Sequence, residues 1–222
     1  SYSVILPTLN EVGHINSLIK DISNNFDKFN IHYEIIIVDD GSTDGSTEIL
    51  SKSNSIKLLR IDENRGKGYA IRQGLIKPKN KMIVIFDGDL ELMPMEINKL
   101  MILDKDNGIN CVFGSRMKGM NFLMSIWNSG NYFLTGLFNL IHKTNQTDAL
   151  CCAKAFFKED INTEELKSIG FDIDVELAAI LVKKFPVNNI ISLKYNRRSI
   201  SEGKKLRFRD AWLIIKRIIK SR

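Results

Sequence analysis

The 222-residue chain is 44% hydrophobic, enough for a substantial core in one large domain, and no run of about 18 apolar residues marks a membrane-spanning helix. Three cysteines (Cys111, Cys151, Cys152) give no legible disulfide framework and favour a reducing compartment, and three scattered histidines offer no His-rich zinc site. The net charge of +6 is uneven: residues 197–222 hold ten Lys or Arg against Glu202 and Asp210, leaving −2 on the first 196 residues. Such local basicity, with no RNA- or DNA-binding motif beside it, argues against a nucleic-acid partner. A secretory leader is not expected, and a start at Ser1 rather than Met is what a processed or excised polypeptide would show.

The predicted elements run in a regular order. "YSVILP" reads as a strand stopped by Pro7, and residues 11–26 as a helix with Ile15, Leu18, Ile19, Ile22 and Phe26 on one face. "YEIIIVDD" is a second strand whose unbroken apolar run suits a parallel sheet covered on both faces. The turn "GSTDGS" leads into a helix from Asp44 to Ser51, "IKLLRI" is a third strand, and 67–77 a helix. "KMIVIF" is the fourth strand, Pro94 to Leu103 the next helix, and "INCVFGS" the fifth strand. Strands alternating with helices at this spacing predict an α/β fold with an open, mostly parallel, Rossmann-like sheet flanked by helices.

Beyond Arg116 the rhythm changes. Residues 122–141 are expected to be helical, either packed inside or bordering a lipid-facing groove; a helix over 172–184 and the strand "VNNIISLKY" follow. The stretch 207–220 is basic and amphipathic, with Trp212, Ile215, Ile218 and Ile219 on an apolar side. It is expected either to lie on an anionic membrane surface or to pack on its own domain. No repeat or linker interrupts the chain, so residues 1–222 are expected to form a single domain.

In open parallel sheets ligands bind beyond the carboxyl ends of the strands. Here those ends carry Pro7 to Glu11, Asp39 to Ser42, Asp87 to Glu91 and Gly114 to Arg116. The first loop lacks G-x-G-x-x-G and "NRGKGYA" is not a P-loop, which sets aside dinucleotide dehydrogenases and P-loop NTPases. "FDGDLEL" places Asp87, Asp89 and Glu91 at alternate positions after a buried strand. The turn at Gly88 would swing the first two around one hard cation, Mg²⁺ or Mn²⁺, which can also hold phosphate oxygens. The plainer reading has these acids starting the helix near Pro94, and Arg116 lying at the surface.

Taken together, "VILPTLNE", "IIIVDDGSTDGS", "NRGKGYAIRQGL", "FDGDLEL", "VFGSRM", "TDALCCAKAF", "GFDIDVEL" and "YNRRSISEGKKLRFRD" resemble the family 2 glycosyltransferases. Within them the likeness is to the dolichyl-phosphate (polyprenyl-phosphate) mannosyl- and glucosyltransferases. The resemblance implies a GT-A fold and metal-dependent, inverting transfer of a sugar from a GDP- or UDP-linked donor to a polyprenyl phosphate. The alternative is a family 2 enzyme acting on a saccharide or lipid-linked saccharide hydroxyl. It further implies a nucleotide pocket from Pro7, Leu9, Glu11, Val38 and Asp40, with Asp39 bracing the loop. Asp87, Gly88 and Asp89 would form the metal and diphosphate turn, with Glu91 a further ligand. Arg116, Arg198 and Lys204 would neutralise phosphate, so that Asp89, Arg116 and Arg198 carry the chemistry. An alcohol acceptor would need a base, for which Asp148, Asp172, Asp174 and Glu176 are available, Asp174 and Glu176 facing different sides of a helix. The chain departs from the family pattern at Leu9 (commonly Tyr), Gly88 (often Ala), Cys152 (usually Gly) and Ala153 (commonly aromatic). The expected location is the cytoplasmic side of a membrane, peripheral, and anchored where a polypeptide continues past residue 222.

Overall fold

The computed structural model describes residues 1–117, 126–196 and 208–222, with the side chains of 126–128 and 208–209 outside that description. The strands are β1 (Tyr2–Thr8), β2 (Tyr33–Asp40), β3 (Lys57–Ile61), β4 (Met82–Ile85), β5 (Cys111–Ser115), β6 (Lys154–Phe157) and β7 (Asn189–Ser192). The α-helices are α1 (Ile15–Lys28), α2 (Ser46–Leu50), α3 (Lys67–Ile76), α4 (Ile126–His142), α5 (Ile173–Lys184) and α6 (Phe208–Lys220). Strand order is β3-β2-β1-β4-β6-β5-β7, and β6 alone runs antiparallel to its neighbours.

Side-chain alternation along the strands explains why both faces are covered. Val4, Leu6, Ile35, Ile37, Val84 and Phe86 point to one face and meet Leu18, Ile22 and Phe26 of α1. Ile5, Ile36, Val38, Ile83 and Ile85 point to the other and meet Ile71 and Leu75 of α3 and Leu177 and Ala178 of α5. Each buried Leu, Ile or Phe contributes about 1.5–3 kcal/mol to the folded state. The parallel register of β1, Val4 to Ile35 on one side and Val4 to Val84 on the other, locks this alternation.

The structure revises four expectations. Strand β6 lies inside "CCAKAFF", where Lys154, fully buried in the sheet, breaks the apolar run and hides the strand. Its ammonium donates to the Cys151 carbonyl. The segment after Pro94 is a 3-10 helix, Pro94–Leu100, rather than an α-helix, and β7 is four residues where a longer strand was expected.

The fourth revision concerns α6. It docks on α4 and α5, with Ile214 and Ile218 buried. The Arg217 guanidinium reaches Asp172 Oδ2 and Glu176 Oε1, each at 3.0 Å, and His142 Nε2 lies 3.2 Å from the Ile218 carbonyl oxygen. The expected single apolar side is therefore divided: Ile218 faces the core, while Trp212 and Ile219 face outward with Lys216 and Lys220. No helix among the described residues is long and apolar enough to cross a membrane.

Arg217 is the cation paired with two nearly buried carboxylates, which without it keep only backbone N–H donors. Arg217→Met should lower stability by about 3 kcal/mol in urea unfolding, whereas Lys216→Met should change it by less than about 0.5 kcal/mol.

Candidate active site

From β1 the chain builds outward through β2 and β3, then returns to place β4 on the other side of β1. That reversal opens a crevice beyond the strand ends, where open α/β sheets hold their ligands. A cleft of about 780 Å³ occupies it, with Pro7, Leu9, Glu11, Asp40, Asp87, Gly88, Asp89, Glu91 and Arg116 in its walls. Val38 is a correction: its side chain is fully buried in the core beneath α3 and does not reach the cleft. Arg198 and Lys204 lie outside the described residues.

Two loops form the nucleotide-sized side of the cleft and are laced together. Asp39, fully buried, accepts the Ser42 N–H at 3.0 Å and the Thr47 hydroxyl. Asn10 accepts the Thr43 N–H at 2.8 Å, Asp44 the Val12 N–H at 2.9 Å, and Ser46 Oγ the Glu11 N–H at 3.0 Å. Asp40 accepts the N–H groups of Arg65 and Gly66 at 3.0 and 2.8 Å. Burial raises its pKa, with Asp39 adding to the effect and the two backbone donors opposing it. A carboxylate has about four lone-pair sites, so Asp40 keeps acceptor capacity toward the cleft. Gly66 is obligatory here: its φ is +97°, and a Cβ would stand 2.3 Å from the Ile169 carbonyl oxygen.

The carboxylate turn meets a cation. Lys67 Nζ lies 2.9 Å from Asp87 Oδ1 and 2.9 Å from Asp174 Oδ2. Burial opposes its charge, but Asp174 and Asp87 keep it protonated well above the ordinary lysine range. Burial also works against charge on Asp87, yet Lys67, the Cys152 thiol and Arg116 hold its pKa below the usual value. Asp89 is different: burial, then Asp87 and Glu91, push it up to about 7 despite the Glu91 N–H it accepts at 3.0 Å. Glu91 Oε2 accepts the Tyr195 hydroxyl at 3.0 Å.

Among the described residues no three His, Cys, Asp or Glu side chains form a ready-made metal cage. Asp87 is turned onto Lys67, which gives a physical reason. The donor set nevertheless fits Mg²⁺ or Mn²⁺: hard oxygens, crowded enough that Asp89 resists ionisation, in a cleft with room for phosphates that would complete the shell. Magnesium is commonly held in this way, by one or two carboxylates plus phosphate oxygens.

Arg116 lines the cleft and is paired with an acid. Its Nε and Nη2 donate to Asp148 Oδ2 and Oδ1 at 2.8 and 2.9 Å, a bidentate pair at the back of the cleft. Asp148, with a fully buried side chain, is consumed by that pair; Asp172 and Glu176 are consumed by Arg217. Asp174 alone of the four candidate bases lines the cleft, and its Oδ1 is buried without a hydrogen-bond partner.

Lys67, inside "NRGKGYAIRQGL", was not among the expected site residues, although the sequence carries a signal for it. A lysine opening a helix sits at the positive end of the dipole, which disfavours it unless acids lie opposite.

The glycosyl transferase family 2 model matches residues 3–164, well over half of the chain. The chain belongs to that family. A dolichol-phosphate mannosyltransferase of Pyrococcus furiosus is 30% identical over 184 residues, covering 79% of this chain and 51% of that enzyme. A dolichyl-phosphate beta-glucosyltransferase of Saccharomyces cerevisiae is 34% identical over 109 residues, 45% of this chain and 33% of that enzyme. The chain thus spans about half or less of these two relatives. An uncharacterized protein of Methanocaldococcus jannaschii matches nearly end to end, 29% identical over 89% of this chain and 90% of its own.

Solved structures with the same fold include mannosyl-3-phosphoglycerate synthase from Rubrobacter xylanophilus, with a TM-score of 0.78, 15% identity, and coverage of 100% of this chain and 72% of that one. Glucosyl-3-phosphoglycerate synthase from Mycobacterium tuberculosis, in complex with Mn²⁺, uridine diphosphate and glucosyl-3-phosphoglycerate, gives 0.69 at 20% identity, covering 100% and 79%. The fold of this family 2 chain is therefore GT-A.

The Asp40 cradle can be tested through its glycine. Gly66→Ala should cost at least about 2 kcal/mol in chemical denaturation, from backbone strain and the clash with Ile169. Gly130→Ala in α4, where a new Cβ meets nothing within 4 Å, should be neutral or stabilise by up to about 1 kcal/mol.

Proposed function

We propose that this chain transfers a sugar, with inversion, from a GDP- or UDP-linked donor to a polyprenyl phosphate at a membrane surface, with Mg²⁺ or Mn²⁺. The observation that carries the reading is the carboxylate turn Asp87-Gly88-Asp89 lining the switch-point cleft together with Asp40. The diphosphate would lie between them, and the nucleoside against Pro7, Leu9, Glu11 and Asp40. Asp87 and Asp89 would hold the divalent ion, with Glu91 near it through Tyr195. A bound ion of this kind neutralises charge developing on the leaving diphosphate.

The remaining work falls to the protein's own cations and walls. Arg116, locked flat by Asp148, presents a fixed positive field at the back of the cleft. Arg198 and Lys204 belong to this reading on sequence grounds, as the basic pair closing over phosphate. The names of the partly matching relatives support a polyprenyl-phosphate acceptor, which arrives already ionised and needs no strong base. One observation favours the second reading, a hydroxyl acceptor. Asp174 lines the cleft and carries a buried, unpartnered oxygen, and burial raises its pKa, as suits a general base.

The membrane side of the proposal rests on two helices that pack on each other. Phe133 and Leu140 of α4 and Trp212 and Ile219 of α6 are exposed, and Lys216 and Lys220 flank the latter pair. Asp210, Leu213 and Ile214 of the same α6 line the cleft, so a lipid-borne acceptor held at that surface would lie next to the donor.

Labelled GDP- and UDP-sugars should be offered with polyprenyl phosphate, the matching polyprenol, and 3-phosphoglycerate. Transfer should be confined to polyprenyl phosphate, and Asp89→Ala should reduce it at least about a thousandfold. Transfer to the polyprenol with none to the phosphate would move the assignment to the hydroxyl-acceptor reading. Separately, Lys216→Gln with Lys220→Gln should weaken binding to anionic vesicles by about 2 kcal/mol at low salt, roughly thirtyfold. Equal partitioning of the double variant and the parent chain would remove the membrane surface from the reading. Arg217 is left intact in that test because it is engaged beneath the helix.

A further inference from the structure

Lys67 opens α3 directly after the strained Gly66 turn that Asp40 holds, so its backbone is fixed while its four-carbon stem stays adjustable. Its ammonium spans both oxygens of Asp87, at 2.9 and 3.2 Å, and one oxygen of Asp174 at 2.9 Å. The contacts to Asp87 Oδ2 and Asp174 Oδ2 are hydrogen bonds, and the approach to Asp87 Oδ1 is ionic. The other Asp174 oxygen, Oδ1, is buried with no partner. Lys67 thus sits between a carboxylate it contacts through both oxygens and a second it contacts through only one. Asp87 is the same carboxylate a divalent ion at the turn would need.

From this arrangement we infer that Lys67 is a displaceable counter-ion, resting on Asp87 until a divalent ion takes that carboxylate, then moving wholly onto Asp174. The inference rests on the metal reading of the Asp87-Asp89 turn. It makes Lys67 a positioning residue with two consequences. In the metal-free protein the lysine neutralises a carboxylate cluster that would otherwise repel itself. In the loaded protein both Asp174 oxygens are claimed by the ammonium, which leaves Asp174 an anchor rather than a base. The acceptor must then supply its own negative charge, as a phosphate does and an alcohol does not. Metal loading and acceptor class are tied together by one side chain.

The test is Mn²⁺ uptake by the protein alone, read from loss of the free-ion electron paramagnetic resonance signal. Lys67→Met should bind Mn²⁺ about tenfold more tightly than the parent chain, because the ion no longer competes for Asp87. Arg65→Met, which removes a charge from the same cleft without touching Asp87, should stay within about twofold. Asp174→Asn should weaken uptake about tenfold by removing the ammonium's second resting place, and that loss should largely vanish in the Lys67→Met background. Unchanged affinity in Lys67→Met, or the same Asp174→Asn loss with and without the lysine, would overturn the inference while leaving the metal site standing. A parent chain that takes up no Mn²⁺ at millimolar concentration would sink both. A further readout needs no disruptive variant: in protein labelled with ¹⁵N at lysine Nζ, Mg²⁺ should shift the Lys67 signal, assigned through Lys67→Arg. A Lys67 signal that stays put while Mg²⁺ binds would likewise overturn the exchange.

Discussion

Negative charge brought to one edge of a parallel sheet must be met by something positive, and in this chain each carboxylate there has its own answer. Asp39 is met by the Ser42 N–H and the Thr47 hydroxyl, Asp40 by two backbone N–H groups, Asp87 and Asp174 by one lysine, and Asp148 by a bidentate arginine. Unanswered, any of these groups would cost several kcal/mol to bury. The answers are what shape the site. The Asn10, Asp44 and Ser46 contacts hold the first two loops together, the Asp40 cradle fixes where α3 begins, and that start delivers Lys67 to the Asp87 turn. Asp89 sits among acids, and burial, then Asp87 and Glu91, push it up to about 7. Added positive charge is favoured there, beside the space a diphosphate would fill on the proposed reading.

The same logic extends from the site to the surface. Helix α6 is a wall of the cleft on its inner side, where Ile214 packs and Arg217 reaches Asp172 and Glu176 at the start of α5. On its outer side it carries Trp212, Lys216 and Ile219 to solvent. One helix is therefore shared between the cleft and the face proposed to meet lipid. An ion pair to α5 sets its position, so the geometry of the wall depends on charges some distance from the donor pocket.

Much of the fold was legible because the strands of the first half are long, apolar and punctuated by turns. "YEIIIVDD" and "KMIVIF" carry their burial on their face, and the strand-end acids follow from their position alone. Strand β6 was not legible because a buried lysine, Lys154, looks like a surface residue until its ammonium is seen to reach a carbonyl. The resemblance implied a place for Val38 in the nucleotide pocket, but alternation turns its side chain beneath α3. The two-faced character of α6 was hidden because isoleucines lie on both sides, and only packing tells Ile218 from Ile219. Arg116 and Asp148 are 32 residues apart, and nothing in their spacing announces that they form a pair. Lys67, too, depends on a partner 107 residues away, Asp174. Local pattern reveals strands and turns; it does not reveal which charges are paired across the sheet.

On the proposed reading the Asp87-Asp89 turn receives a divalent ion and Lys67 yields to it. The most direct measurement is anomalous diffraction from crystals grown with Mn²⁺ and a nucleoside diphosphate. One manganese peak should appear at the turn, where Asp87 and Asp89 would hold it, with the Lys67 ammonium moved off Asp87 onto Asp174. A nucleotide bound in the cleft with no metal at the turn, or manganese bound while Lys67 still spans Asp87, would contradict it.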